Sequence, residues 1–204
     1  MFIKGLADYL KGFEHPGGII VSEEKKFIYM KATKTAGTSI LRHVLEPRIP
    51  DTIHFKDHRE KFLLWRENLT DEQLSEYFIF AFTRNPWDRI VSCAFYFKIP
   101  PKKFLLNYAK YVKNSEVRIH SLPIHFYTHF RGTFFADYLG RFETLQKDFD
   151  IICDRIGIKR TVLPHINKTA HKHYSEYYNL ETKNLVEQIY HEDIKYYNYR
   201  FEHH

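Results

Sequence analysis

Cysteine is nearly absent: Cys93 and Cys153 are the only two in 204 residues. Both lie in apolar helical patterns without metal-ligand or redox spacing, which excludes a disulfide scaffold and implies buried free thiols in a reducing compartment. No apolar run is long enough to span a bilayer, and the opening Met1-Phe-Ile-Lys-Gly-Leu-Ala-Asp8 has no apolar core of signal-peptide length. A cytoplasmic protein without a membrane span is expected. Repeats, low-complexity tracts and linkers are missing, and 204 residues suit one compact α/β domain over 1–204. No block of five or six Lys/Arg occurs, which argues against nucleic acid as the partner. Even so, a net charge of +6 and a pI near 9.1 ask for an anionic one, and acidic glycan or a multiply charged cofactor fits that balance. The closing His203 and His204 read as a remnant of a purification tag and are given no role.

What is abundant is aromatic: 15 Tyr and 18 Phe, enough to thicken a core and line a cleft. Residues 19–21 and 27–32 read as a hairpin leading into a central strand. A helix opens after Ser39 and stops near Pro47, residues 53–68 are helical in part, and Asp71 starts another helix. Tyr77-Phe-Ile-Phe-Ala-Phe-Thr83 is a continuous apolar run, as a strand buried on both faces requires. Asn85-Pro86 then gives an N-cap followed by proline at the first helical position. Residues 102–113 are expected to be helical and 119–131 irregular. Ala136–Phe142 reads as a third strand, followed by an amphipathic helix ending at Gly157 and by C-terminal helices around 181–197.

Two strand-to-helix turns carry the chemistry. The first, Lys34-Thr-Ala-Gly-Thr-Ser39, offers backbone N–H groups at a positive helix end. Gly37 allows close backbone approach, Thr38 and Ser39 add hydroxyls, and Lys34 adds a mobile charge. Its lysine precedes the glycine, unlike the G-x-x-x-x-G-K-[ST] loop of nucleotide triphosphatases. The residues suit a phosphate or sulfate ester, or simply an ordinary turn. The second turn, Thr83-Arg-Asn-Pro-Trp-Asp-Arg-Ile-Val-Ser92, puts Arg84 ahead of a helix. Ser92 lies roughly 9 Å along the axis from Pro86, so an arginine fork and a hydroxyl can share one phosphate. Each of these two residues alone is equally at home as a surface ion-pair partner or a helix-face hydroxyl. Side by side on a parallel sheet, the turns would put both helix N-termini at its carboxyl edge.

Together these motifs resemble the two cofactor motifs of sulfotransferases that use 3′-phosphoadenosine 5′-phosphosulfate (PAPS). The chain looks like the family of carbohydrate 2-O- and 4-O-sulfotransferases with its small bacterial members. The resemblance extends to Gly140-Arg-Phe-Glu-Thr-Leu-Gln-Lys-Asp-Phe149, to Leu163-Pro-His-Ile-Asn-Lys-Thr169 and to Asp193-Ile-Lys-Tyr-Tyr-Asn-Tyr-Arg-Phe201, and so covers nearly all of the chain. It implies an α/β fold, a central, mostly parallel sheet flanked by helices, P-loop-like, and a metal-independent transfer to a hydroxyl of an acceptor such as a carbohydrate. It implies that Thr35, Ala36, Gly37, Thr38 and Ser39 hold the 5′-phosphosulfate and that Lys34 reaches the bridging oxygen. Arg84 and Ser92 would grip the 3′-phosphate also present in the product PAP, with Lys168 and Thr169 closing over the phosphates. His54 would be the general base, with His58 its runner-up, because imidazole titrates near working pH.

Other assignments stay open. His54 and His58 are spaced as metal ligands on one helical face, but Phe55 stands where a zinc protease carries Glu and no third ligand is evident. Arg141 and Glu143 suit bonds to neighbouring loops. His171, Lys172 and His173 suit a basic rim, and His125 and Tyr127 fall where relatives shape the acceptor cleft. Two departures from the wider superfamily matter: Ile40 occupies roughly the place of an adenine-stacking Trp, and Phe95 replaces a Tyr after Ser92. A small-molecule kinase on the same scaffold, and a non-catalytic polyanion-binding module, are the alternatives.

Overall fold

The computed structural model describes residues 18–55, 64, 65, 67–130, 133, 134, 136–164 and 172–203. In chain order, β1 (Ile19–Ser22) and β2 (Phe27–Met30) are followed by α1 (Gly37–Ile40), which widens into a π-helical turn over Leu41–Leu45 and resumes as α2 (Glu46–Arg48). Next come β3 (Ile53–Phe55), α3 (Asp71–Ser75), β4 (Phe78–Thr83) and α4 (Pro86–Tyr96). After them lie α5 (Pro101–Leu106), α6 (Tyr108–Tyr111), α7 (Ser115–Ser121), α8 (His125–Thr128), β5 (His129–Phe130), β6 (Thr133–Phe134) and β7 (Tyr138–Arg141). Then follow α9 (Leu145–Arg155), a 3-10 turn over Tyr174–Tyr177, α10 (Leu180–Ile189) and α11 (His191–Tyr197). The chain groups into two compact units, one of residues 15–83 and 126–166, the other of residues 1–14, 84–125 and 167–204.

The first unit holds a five-stranded sheet in the order β3-β1-β2-β4-β7. A mostly parallel sheet was expected; it is mixed. Strands β2, β4 and β7 run parallel, whereas β1 is antiparallel to both β2 and β3. The reason is the short Glu23–Lys26 turn, which can only return the chain antiparallel. Period-2 alternation divides β4 between two cores. Phe80 and Phe82 join Tyr29, Ile40, Val44, Leu45, Phe149 and Ile152 on one face. Ile79 and Ala81 meet Val21, Ile28 and Met30 on the other, with Trp65, Leu69 and Leu74 packed against them. At Gly140, level with Phe82, an added Cβ would lie 2.5 Å from that ring, so only glycine fits beside it. Gly157 ends α9 at φ +68°, where a side chain would be strained.

Residues 53–55, at the start of a stretch expected to be helical in part, form the edge strand β3. Because β1 opposes both neighbours, β3 runs in the direction of β2, with Phe55 level with Ile19 and Met30. The expected helix at Asp71 is present and closed by a Thr70–Gln73 capping box.

The second unit is helical. Its α4 begins at Pro86 as expected, with the Asn85 side chain accepting from the N–H groups of Trp87 and Asp88. Trp87, Tyr174 and Tyr178 each meet the Phe201 ring edge to face at 5.5 Å, which anchors the chain's end. The 119–131 stretch, expected to be irregular, contains the end of α7 and the turn α8. Cys93 and Cys153 are free and buried.

Alkaline pH acts on this fold through its tyrosines. Tyr108, inside the second unit, bonds Ser121 and is pushed up to about 12, chiefly by burial. The folded state therefore holds the proton more tightly than an unfolded phenol with pKa near 10. That stability is complete below pH 10 and is lost as pH rises to 12, at a cost of about 3 kcal/mol. Urea midpoints are expected to fall steeply above pH 10, and to fall less in Tyr108→Phe.

Candidate functional site

The first candidate segment leaves β2 at its carboxyl end. Lys34 and Ala36 both adopt left-handed backbone, each at φ 63°, although neither is glycine. Such conformations cost roughly 1–2 kcal/mol per residue, and non-glycine examples cluster at ligand-binding turns. The passage from left-handed Ala36 (ψ 16°) into helical Gly37 turns successive N–H groups to one side, the concavity that binds anions. Packing holds the turn. Thr35 is fully buried, and its hydroxyl donates to the Ala32 carbonyl at 2.9 Å, so the side chain braces the turn. Thr33 Oγ1 lies 3.4 Å from the Tyr127 hydroxyl. Ser39 is buried and Thr38 half-buried.

Gly37 has a different reason from the one its sequence context suggests. The space a Cβ would fill is taken by the Lys31 side chain, whose Cε, Cγ and Cδ come within 2.8, 2.9 and 3.1 Å of it. Ile40, at the place of the adenine-stacking Trp, is fully buried in the core and offers no platform. Thr83, the last residue of β4 at the same sheet edge, has a buried hydroxyl with no hydrogen-bond partner among the described residues. Buried polar groups left unsatisfied are costly, and one at this edge fits a ligand-binding place.

The second candidate segment opens the helical unit. Arg84 is buried to 7% exposure, and its Nε donates to Asp88 Oδ2 at 2.8 Å. Ser92 is half-buried one turn beyond Asp88, so the three residues follow one another at helical spacing. Asn85, next in the chain, is bonded at both ends of its amide: Oδ1 caps α4, while Nδ2 donates to the Arg200 carbonyl at 3.0 Å. Tyr178, whose phenol is held well above its ordinary pKa by burial, donates to the Trp87 carbonyl at 2.8 Å. Phe95, which stands for the missing Tyr, meets Tyr177 edge to face at 5.6 Å.

His54 sits on β3 rather than at a helix start, level with Ile20 and Tyr29. It therefore faces the same side as the helical segment that begins at Gly37, and its Nε2 lies 3.4 Å from Glu46 Oε1. Glu46 is nine residues into that segment, about 13 Å along its axis from Gly37. The structure thus joins Lys34 to Ser39 in one turn, sets Arg84 just ahead of the helix that carries Ser92, and puts His54 at the far end of the first helical run. His58, Lys168, Thr169 and His171 lie outside the described residues. Lys172 makes an exposed pair with Glu176 at 2.9 Å, and His173 Nδ1 lies 2.8 Å from Ser175 Oγ. The Arg141 N–H donates to Asp148, which also accepts from Tyr138 and Thr144.

One arrangement escaped the sequence reading. Asp193, 1% exposed, accepts from the Ile124 and His125 N–H groups and lies 2.8 Å from His125 Nδ1. A carboxylate only accepts, so Nδ1 carries a proton, which in a neutral ring puts the lone pair on Nε2. Nothing local joins residues 68 apart, so no pattern could have shown it. Among the described residues no three His, Cys, Asp or Glu side chains gather as metal ligands, and no helix is long and apolar enough to cross a membrane.

Comparison with known proteins gives one family. The sequence model described as the sulfotransferase family matches residues 17–200. A protein of Archaeoglobus fulgidus described as uncharacterized is 30% identical over 100 residues, covering 48% of this chain and 82% of the relative. No solved structure matches significantly.

Proposed function

The chain belongs to the sulfotransferase family, and from that premise we propose that it is one P-loop-like domain that moves the sulfuryl group of PAPS to a hydroxyl, most naturally of a carbohydrate. The observation that carries this reading is the Lys34–Ser39 turn, with two left-handed non-glycine residues opening onto a helix. PAPS supplies an activated sulfuryl group on a good leaving group; the residues supply position and charge. The N–H groups from Thr35 to Ser39 hold the 5′ end, with Lys168 and Thr169 closing over it. Arg84 and Ser92 hold the 3′-phosphate, Asp88 keeping the guanidinium oriented from one side. Lys34 offers its charge to the bridging oxygen, where negative charge gathers as the bond to sulfur breaks. His54 takes the acceptor proton as the new sulfur–oxygen bond forms.

A specific observation favours a second base. His125 is oriented by buried Asp193 through Nδ1, which in a neutral ring puts the lone pair on Nε2 as a general base requires, whereas His54 faces a carboxylate far along the first helical run.

A thermal-shift screen of PAP against ATP, ADP and AMP tests the function. PAP at a hundred times its dissociation constant is expected to stabilise the fold by about 2.7 kcal/mol. Magnesium-dependent ATP binding would instead revive the kinase reading. Salt-sensitive glycan or DNA binding without a PAP response would favour a polyanion module. The base is decided by turnover: the alanine variant at the true base should keep PAP binding and lose about 10²–10⁴-fold in rate, while the other changes little.

A further inference from the structure

The excess positive charge of the chain is gathered in one stretch of the helical unit. Residues 89–115 hold six Lys or Arg and no Asp or Glu, so the other 25 basic side chains are matched by the 25 acidic ones. Arg89 is buried, which leaves Lys98, Lys102, Lys103, Lys110 and Lys113, all exposed. None of the five enters an ion pair among the described residues.

Helical spacing lines four of them up. Phe104, Leu105, Tyr108 and Val112 are buried, while Lys102, Lys103, Leu106, Asn107, Lys110 and Lys113 are exposed between and beyond them. Hydrogen bonds carry the helical path from α5 into α6: the Asn107 N–H donates to the Lys103 carbonyl and the Tyr111 N–H to the Asn107 carbonyl, each at 3.2 Å. The outward face therefore runs about 16 Å from Lys102 to Lys113. Lys98 precedes it at φ 56°, a left-handed position closing α4 where glycine is the usual residue.

Two features separate this face from an ordinary solvated one. Leu106, in its middle, is 59% exposed and stands at the lip of a hollow between α5 and α10, lined also by Leu105 and Leu185. And every exposed charge is lysine. Arginine forks suit the paired oxygens of individual phosphates in nucleic acid, whereas lysine offers a point charge on a long apolar stem. Acidic side chains stand only at the borders of the face: Glu116 three residues past Lys113, and Glu181 across the hollow. Lysines surrounding an exposed leucine complement a plane of spread negative charge with an apolar layer beneath it.

We propose that this lysine face docks the protein on an anionic lipid bilayer, the ammonium groups meeting headgroup phosphates and Leu106 entering the interface between them. Docking of this kind does not depend on the sulfotransferase reading.

Co-sedimentation of the full chain with vesicles tests it, using phosphatidylcholine alone and phosphatidylcholine with about a third phosphatidylglycerol. Wild type is expected to bind the mixed vesicles at least about tenfold more tightly than the neutral ones, and less tightly as salt rises. Lys103→Glu and Lys110→Glu made together should weaken that binding at least about thirtyfold, because each lysine at such a surface is worth about a factor of five. Leu106→Ser should lose about fivefold. Both variants should melt with wild type, since the three side chains are exposed. Equal binding to both vesicles, binding to neither, or wild-type affinity in the double variant would overturn the proposal. So would heparin or a short DNA duplex binding more tightly than the mixed vesicles while Leu106→Ser changes nothing, which would make a soluble polyanion the occupant. Should the double variant not fold, wild type decides by salt: mixed-vesicle binding that falls away by about 0.5 M NaCl supports docking through the lysines, and binding that persists unchanged overturns it.

Discussion

Arg84→Ala is expected to abolish most of the stabilisation that PAP confers on the wild-type protein. The guanidinium is buried and oriented by Asp88, so a 3′-phosphate meeting it would exchange little ordered water and little side-chain entropy. Truncating one partner of such a charge pair costs about 2–5 kcal/mol in affinity. A melting shift produced by PAP at a hundred times the wild-type dissociation constant would then nearly vanish. The unliganded variant should also lose some stability, because Asp88 is left without its partner. Lys is no substitute: Arg84→Lys supplies one point charge where the planar fork serves Asp88 and phosphate together, and should recover only part of the shift. Calorimetry with PAP and with adenosine 5′-phosphate separates the effects, since a ligand lacking the 3′-phosphate should be indifferent to this residue. An unchanged PAP shift in Arg84→Ala would remove Arg84 from the site.

Lys34→Ala is expected to cut turnover by about 10²–10³-fold while weakening PAP binding much less. In the proposed reaction the charge it would meet develops on the leaving oxygen only as the bond to sulfur breaks, so its contribution would belong to the transition state. The variant preserves the turn: alanine occupies left-handed backbone no worse than lysine, and Ala36 already does so at the same φ of 63°. The measurement is kcat alongside the PAP dissociation constant. Equal losses in both would make Lys34 a binding residue only, and an unchanged kcat would take it out of the chemistry.

The parts of this structure that repeat locally were legible. The apolar run at residues 77–83 could only be a doubly buried strand, and Asn85-Pro86 could only start a helix. Both held because burial and capping act within a few residues. The stretch at 53–55 misled because three residues show no period, and only pairing with Ile19–Val21 makes them a strand. The resemblance implied Thr35 as a ligand contact, yet its hydroxyl donates to the loop's own backbone, a matter of rotamer and packing that composition does not carry.

The sequence alone determined the membership of a family, the two strand-to-helix turns and the residue types that suit anions, since these depend on neighbours along the chain. The tertiary structure decided the rest. It made the sheet mixed, laid Lys31 across Gly37, set His54 against Glu46 and brought buried Asp193 to His125. Each of these depends on where a side chain points once distant segments pack. The hydrophobic burial that enforces such packing is set by the whole core and by no single stretch.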